Sequence, residues 1–265
     1  MACLCSKSSD AMRLEILGCS GGIGDGQRTT SMWLDRDILI DAGTGAADLT
    51  LDNLAGIDHV FLTHSHLDHV CSIPFMVDAV GAIRDKPLTV YALQATLDAL
   101  RQHVLNDVIW PDFTRIPSST APYLRYQAIS VGETVTLGGR SITALPAYHV
   151  VPALGYQLDS GKASLVFSGD TAGDDAFWQA VNRIGNLRYL IIETSFRNSE
   201  KQLALASRHL CPATLASELQ KFTGVAEIHI THLKPGEVDA IMGEIGVAAA
   251  AFQPQCLYNH QMFEF

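Results

Sequence analysis

One stretch constrains this chain more than any other: Thr63-His64-Ser65-His66-Leu67-Asp68-His69 crowds three imidazoles and a carboxylate into six residues. Val60, Phe61 and Leu62 run into it as a buried strand would, and Val70, Ile73, Pro74, Met76 and Val77 follow as the opening of a helix. At such a strand-to-helix corner, side chains can converge on a point. Neutral imidazole is the commonest biological metal ligand, and imidazole with carboxylate suits Zn²⁺ and its borderline neighbours. The density of histidines and the apolar flanks argue against a solvated loop.

The rest of the composition narrows the class. With 265 residues, 48% of them hydrophobic and 17% charged, the chain can bury a sizeable core. Residues 1–10 read as a flexible N-terminus and residues 11–265 as a single domain. The net charge of −10 argues against a protein whose main task is gripping nucleic acid, which wants a basic footprint. It leaves room for a small anionic substrate, because bound metal reverses the local field. No apolar run reaches the length of a membrane span, and residues 1–10 lack the apolar core of a signal peptide. Six cysteines, at Cys3, Cys5, Cys19, Cys71, Cys211 and Cys256, repeat no zinc-ribbon spacing and read as reduced thiols of a cytoplasmic protein. Cys3 and Cys5 form either a weak metal or redox pair or part of a frayed terminus.

Taken in order, the chain repeats one theme: a buried strand ending in a polar group. The run from Gly18 to Gly26 has glycine spacings like those of a nucleotide loop, but no Gly-Lys-Ser/Thr follows, so it reads as a flexible lip between strands. Ile38-Leu39-Ile40-Asp41 ends in a carboxylate that must be paired if buried. Asp41 is either an acceptor that fixes an imidazole tautomer or a turn or helix cap. Residues 106–122 are irregular and suit a pocket wall or lid, in which Trp110 and Phe113 either stack on a base or serve as packing anchors. Gly138-Gly139 predicts a tight hairpin. Later strands end at His149, Asp170, Glu193 and His232, which predicts two sheets packed face to face, helices outside, and polar ends gathered at one edge.

The run His64-x-His66-x-Asp68-His69, followed by His149, Asp170 and His232, resembles the ligand set of the metallo-β-lactamase-fold hydrolases over nearly the whole chain. The resemblance implies an α/β fold, a four-layer αβ/βα sandwich, with a site for two divalent ions at its edge, zinc first and manganese or iron as alternatives. It implies one ion on His64, His66 and His149, the other on Asp68, His69 and His232, with Asp170 bridging and Asp41 behind them. Asp170 is not Cys and His66 is not Glu, which argues against the Cys-ligand β-lactamases and the di-iron oxygen-reducing branch. The stretch from His64 to Pro74, Thr231-His232-Leu233-Lys234-Pro235, and the segment from Ile191 to Asn198 are similar to the class II 3′,5′-cyclic-nucleotide phosphodiesterases. The run from His149 to Tyr156 also looks like tRNA 3′-processing endonucleases, but the histidine of their His-Glu-Ala-Thr-Phe motif is missing before Glu193.

The reaction this implies is attack of a metal-bridging hydroxide on a cyclic nucleotide, giving the 5′-monophosphate, with Asp68 both ligating and steering the nucleophile's proton. Two divalent ions about 3.5–4 Å apart can clamp the attacking and leaving oxygens of such a displacement. Lys234 reads either as a cation for the substrate or as a surface lysine. The leaving-group acid is open among Glu193, a metal-bound water and His59. His59 and His229 read as possible supports of the ligands, while His103 sits in a helix and His209 near a helix end, where an imidazolium favours the dipole. Alternative readings are a tRNA-processing endonuclease, a thioester or lactone hydrolase, and a non-enzymatic metal-binding protein. The apolar content is compatible with a homodimer.

Overall fold

The computed structural model describes residues 11–265; Cys3, Cys5 and the expected N-terminal tail lie outside the described residues. In chain order the elements are β1 (Arg13–Gly18), β2 (Ser31–Leu34), β3 (Ile38–Ala42), α1 (Leu51–Gly56), β4 (His59–Phe61), α2 (Leu67–Val70), α3 (Ser72–Val80), β5 (Leu88–Ala92), α4 (Gln94–His103) and β6 (Leu124–Ala128). The second half runs β7 (Thr134–Leu137), β8 (Arg140–Ala147), β9 (Ala153–Asp159), β10 (Ser164–Phe167), α5 (Asp175–Val181), β11 (Leu187–Glu193), α6 (Lys201–Ser207), α7 (Pro212–Leu219), β12 (Glu227–Thr231), α8 (Val238–Ala248), β13 (Gln255–Cys256) and β14 (Met262–Glu264).

These strands build two seven-stranded sheets, ordered β14-β1-β2-β3-β4-β5-β6 and β13-β12-β11-β10-β9-β8-β7. Each sheet is antiparallel on one side and parallel on the other, β3 to β6 in the first and β10 to β13 in the second. Side chains alternate across a strand, and the alternation sorts the core into layers. Ile38 and Ile40 face the second sheet while Leu39 faces the helices; Ile191 faces inward while Leu190 and Ile192 face outward. The inner layer joins Leu14, Ile16, Met32 and Phe61 to Leu154, Tyr156, Phe167 and Ile191. Ile73, Val77, Leu97 and Leu100 pack on the outside of the first sheet, and Phe177, Leu215, Ile241 and Ile245 on the outside of the second. The result is the expected four-layer sandwich.

Local chemistry fixes several joints. Gly138 and Gly139 both have positive φ, 57° and 86°, which the two-residue hairpin between β7 and β8 requires. Arg140 makes a paired contact with Asp37 and reaches Asp35, tying the sheets at the end where β3 and β8 begin. At the other end Tyr156 donates to the Leu62 carbonyl at 2.7 Å, joining β9 to the residue that leads into the histidine corner. The irregular segment 106–122 is not a lid at the site: Phe113 is buried in the first sheet's outer core, and Trp110 packs edge-on to Phe75 at 5.1 Å. Among the described residues, no helix is long and apolar enough to cross a membrane.

Because the Tyr156 hydroxyl ties β9 to Leu62, Tyr156→Phe should cost about 1–2 kcal/mol by leaving that buried carbonyl short of a partner. Urea unfolding should show a lower midpoint with an unchanged slope and a retained far-ultraviolet spectrum.

Candidate metal centre

The parallel strands of both sheets end at the same edge, and the polar residues collect there. Asp41 belongs to the end of β3, His64 to His69 follow β4, Asp170 follows β10, Glu193 ends β11 and His232 follows β12. His149 lies in the turn between β8 and β9. Two of these residues hold left-handed backbone without being glycine, Asp41 at φ 56° and His232 at φ 64°. Such strain concentrates at functional sites. Gly21 lets the lip close on this edge: a Cβ there would stand 2.6 Å from the His232 carbonyl and 2.9 Å from its Nδ1. The glycine lip is therefore anchored rather than free at its start, with Gly21 N–H donating to Leu233 and His232 N–H donating to Cys19.

The donor atoms fall into two groups. His64, His66, His149 and Asp170 present ligand atoms within 4.8 Å of one another, as do Asp68, His69 and His232. Asp170 stands between them: its Oδ2 is 3.7 Å from His64 Nε2, 3.4 Å from His69 Nε2 and 3.3 Å from His232 Nε2. His66 Nδ1 lies 3.2 Å from His149 Nε2, and Asp68 Oδ2 lies 3.2 Å from His232 Nε2.

The tautomers follow from what lies behind each ring. His69 Nδ1 meets the Asp41 carboxylate at 2.7 Å, and His149 Nδ1 meets the Arg208 carbonyl at 3.1 Å. Both oxygens only accept, so the Nδ1 atoms carry the protons and the Nε2 lone pairs face the cluster. Thr63 donates its hydroxyl to Asp41 at 2.8 Å and so offers His64 Nδ1 an acceptor at 3.0 Å. Ser195 Oγ lies 2.8 Å from His232 Nδ1 and 3.3 Å from Glu193, which gives His232 the same arrangement. The Nε2 atoms of His64 and His69 are buried without a hydrogen-bond partner. Buried lone pairs converging on a carboxylate repel unless a cation lies between them, so these donors fit divalent metal.

Protonation agrees. Burial, with His69 next to it, holds the His64 imidazole well below its ordinary value, and burial also lowers His66 and His149. These rings are neutral near pH 7, the form that binds metal. Against its burial, the neighbouring imidazoles His232 and His69 hold Asp170 well below the usual carboxylate range, and the His232 bond does the same for Asp68. Burial raises Asp41; His69 is raised in spite of burial by Asp170 and Asp41. Two carboxylates flanking one ring in this way favour positive charge there, as a divalent ion would supply.

Several expected contacts lie elsewhere. Glu193, expected against the substrate, is fully buried beneath the site, accepting from Thr171 N–H at 3.1 Å and holding His209 Nδ1 at 2.8 Å. Phe113 and Trp110 belong to the packing of the first half, as described above. Lys234 donates to the Gly21 carbonyl at 2.8 Å and lies 5.6 Å from the Phe196 ring, so it braces the lip. His59 begins β4, bonds Tyr91 and groups with Asp37 and Asp58 at the opposite end of the strand, and His229 packs on Phe263; neither supports a ligand. Among the described residues, a groove of about 580 Å³ beside β8, β9 and α5 holds no such donor cluster.

The residue that sequence reasoning missed is His209. Its ring stacks on His232 at 5.2 Å, meets His149 edge-on at 4.8 Å, and offers a ligand atom within 4.8 Å of those of Asp170 and His232. Although burial opposes it, the Glu193 carboxylate raises the His209 imidazole above its ordinary value. Its only sequence signal is a place just past a helix, shared with many inert histidines.

Comparison with known proteins agrees with this geometry. A family model described as a beta-lactamase superfamily domain matches residues 36–252. A probable 3′,5′-cyclic-nucleotide phosphodiesterase of Yersinia pestis is 26% identical, over 87% of this chain and 80% of that protein. The ribonuclease Z of Haloarcula marismortui is 27% identical over 62% of this chain and 52% of its own length, so the chain spans about half of that relative. The solved structure of unliganded yeast PDE1 superposes with a TM-score of 0.78 at 20% identity, over 95% of this chain and 99% of that one. The family match over most of its length, the paired sheets and the converging donors identify this chain as a metallohydrolase of the beta-lactamase superfamily.

Proposed function

We propose that this chain hydrolyses a small phosphodiester, a 3′,5′-cyclic nucleotide, to the nucleoside 5′-monophosphate. The observation that carries this reading is His209, held by Glu193 and stacked on His232, beside two donor groups that share Asp170. Hydrolysis of a cyclic nucleotide forms a bond from water oxygen to phosphorus, breaks the bond to the 3′ oxygen, and leaves an alkoxide that needs a proton. His209, beside the donors, would supply that proton, and Glu193 favours its protonated form.

When bound, two divalent ions, with zinc first and manganese or iron as alternatives, supply Lewis acidity for the phosphoryl oxygens and acidify the attacking water. His64, His66 and His149 would hold one ion, and Asp68, His69 and His232 the other, with Asp170 shared. The chain's own groups do the rest. Asp68, partly exposed at the rim, takes the proton of the attacking water. Thr63, Asp41, Ser195 and Arg208 fix the imidazoles through their Nδ1 atoms. Tyr148 and Val150 flank His149 and are about half exposed, giving an apolar margin suited to a nucleobase. The net charge of −10 supports a small substrate over a long polyanion. The similarity to the Yersinia pestis phosphodiesterase supports the same class.

The direct test is the purified chain with Zn²⁺ or Mn²⁺ and cyclic AMP, followed by chromatography. The expected product is 5′-AMP with no 3′-AMP. Hydrolysis of bis-nitrophenyl phosphate alone, or salt-sensitive cleavage of a tRNA precursor, would assign another phosphodiester instead. His209→Ala should lower kcat on the cyclic nucleotide by about 10²–10⁴-fold. On bis-nitrophenyl phosphate the loss should be much smaller, because nitrophenolate leaves without a proton; equal losses on both substrates would remove His209 as the acid.

A further inference from the structure

Arg208 is the third residue of the site in a strained backbone. It follows α6 at φ 53°, and its N–H and that of His209 close the helix on Leu205 and Ala204 at 3.3 and 2.8 Å. That closure favours glycine at the left-handed position; an arginine there bears a steric penalty that a glycine would not. Its side chain has two attachments, one at His149 and one at Tyr148 beside it. The guanidinium donates to the His149 carbonyl at 2.5 Å and lies 4.3 Å over the ring of Tyr148, the residue before it. The Arg208 carbonyl receives His149 Nδ1 at 3.1 Å. One residue thus grips His149 by its main chain and its ring, and it directly precedes His209.

We propose that Arg208 is the positioning residue of His149. The left-handed turn aims its carbonyl at Nδ1, which leaves the Nε2 lone pair toward His66 and Asp170. The guanidinium stops the 148–150 turn from swinging that ring away, and it holds Tyr148 at the mouth. The inference rests on the metal-centre reading above, and it makes the arginine side chain, rather than the turn alone, the source of the ligand's alignment. The other ligand rings with assigned tautomers lean on Thr63, Asp41 or Ser195, all buried beneath the strand ends. His149 lies on a turn whose neighbours Tyr148 and Val150 are exposed, so it needs a clamp reaching from another segment.

Arg208→Gly separates the two parts, since glycine keeps the left-handed backbone and its carbonyl but removes the guanidinium. The metal-free variant should melt at the wild-type temperature or above it, because strain is relieved. Its zinc affinity, measured by competition with a chromophoric chelator, should fall about 10- to 100-fold, the usual loss when a support of a metal-binding histidine is removed. Arg208→Lys, which can still reach the His149 carbonyl, should lie between the two. Wild-type zinc affinity in Arg208→Gly overturns the inference alone. A wild-type chain that binds no divalent ion removes the metal-centre reading and this inference with it.

Discussion

The structure depends on where four imidazole protons are held. His64, His69, His149 and His232 each place Nδ1 against an oxygen, from Thr63, Asp41, Arg208 and Ser195 in turn. That leaves the Nε2 atoms of His64, His69 and His232 within 3.3–3.7 Å of one carboxylate oxygen on Asp170. Isolated in a protein interior, such an assembly of imidazoles and carboxylates is costly. Each ring is held from behind, His64, His69 and His232 by residues at strand ends and His149 by the turn after α6.

The sandwich supplies that rigidity. The apolar layers bury Leu39, Val60 and Leu62 on one side and Leu190, Ile192 and Ile230 on the other, directly below the polar ends of the same strands. Parallel strands deliver their C-terminal ends to one edge, so residues far apart in sequence meet without a long loop. Three of the non-glycine residues with left-handed backbone, Asp41, His232 and Arg208, lie at this edge. The same network links the metal donors to the proposed acid: Ser195 touches His232, His209 and Glu193 at once. Binding at the metal donors and the orientation of His209 are therefore mechanically one system.

The split between legible and hidden residues has a physical reason. His64, His66, Asp68 and His69 stand within one corner, so a metal-binding pattern shows in the chain itself, and the continuous apolar runs of β3 and β11 mark strands buried on both faces. Asp41 was also legible, because a carboxylate at the end of an apolar strand needs a partner. Glu193, read as a substrate contact, carries the same strand-end signature but serves a buried imidazole. Sequence gives the need for a partner without saying on which side of the strand end it lies. Trp110 and Phe113 were ambiguous for a related reason: an aromatic in an irregular segment packs inward or outward according to neighbours such as Phe75 and Tyr123, which sequence order does not place.

By itself, then, the chain determined its layered α/β architecture, its superfamily and the identities of the converging donors, because periodicity and short-range spacing are local properties. Only the tertiary structure decided that His209 joins them, that Glu193 lies beneath it and that Arg208 grips His149. Those relations join β11, the end of α6 and the turn after β8, and a contact between segments is set by how sheets and helices pack rather than by any pattern within one of them.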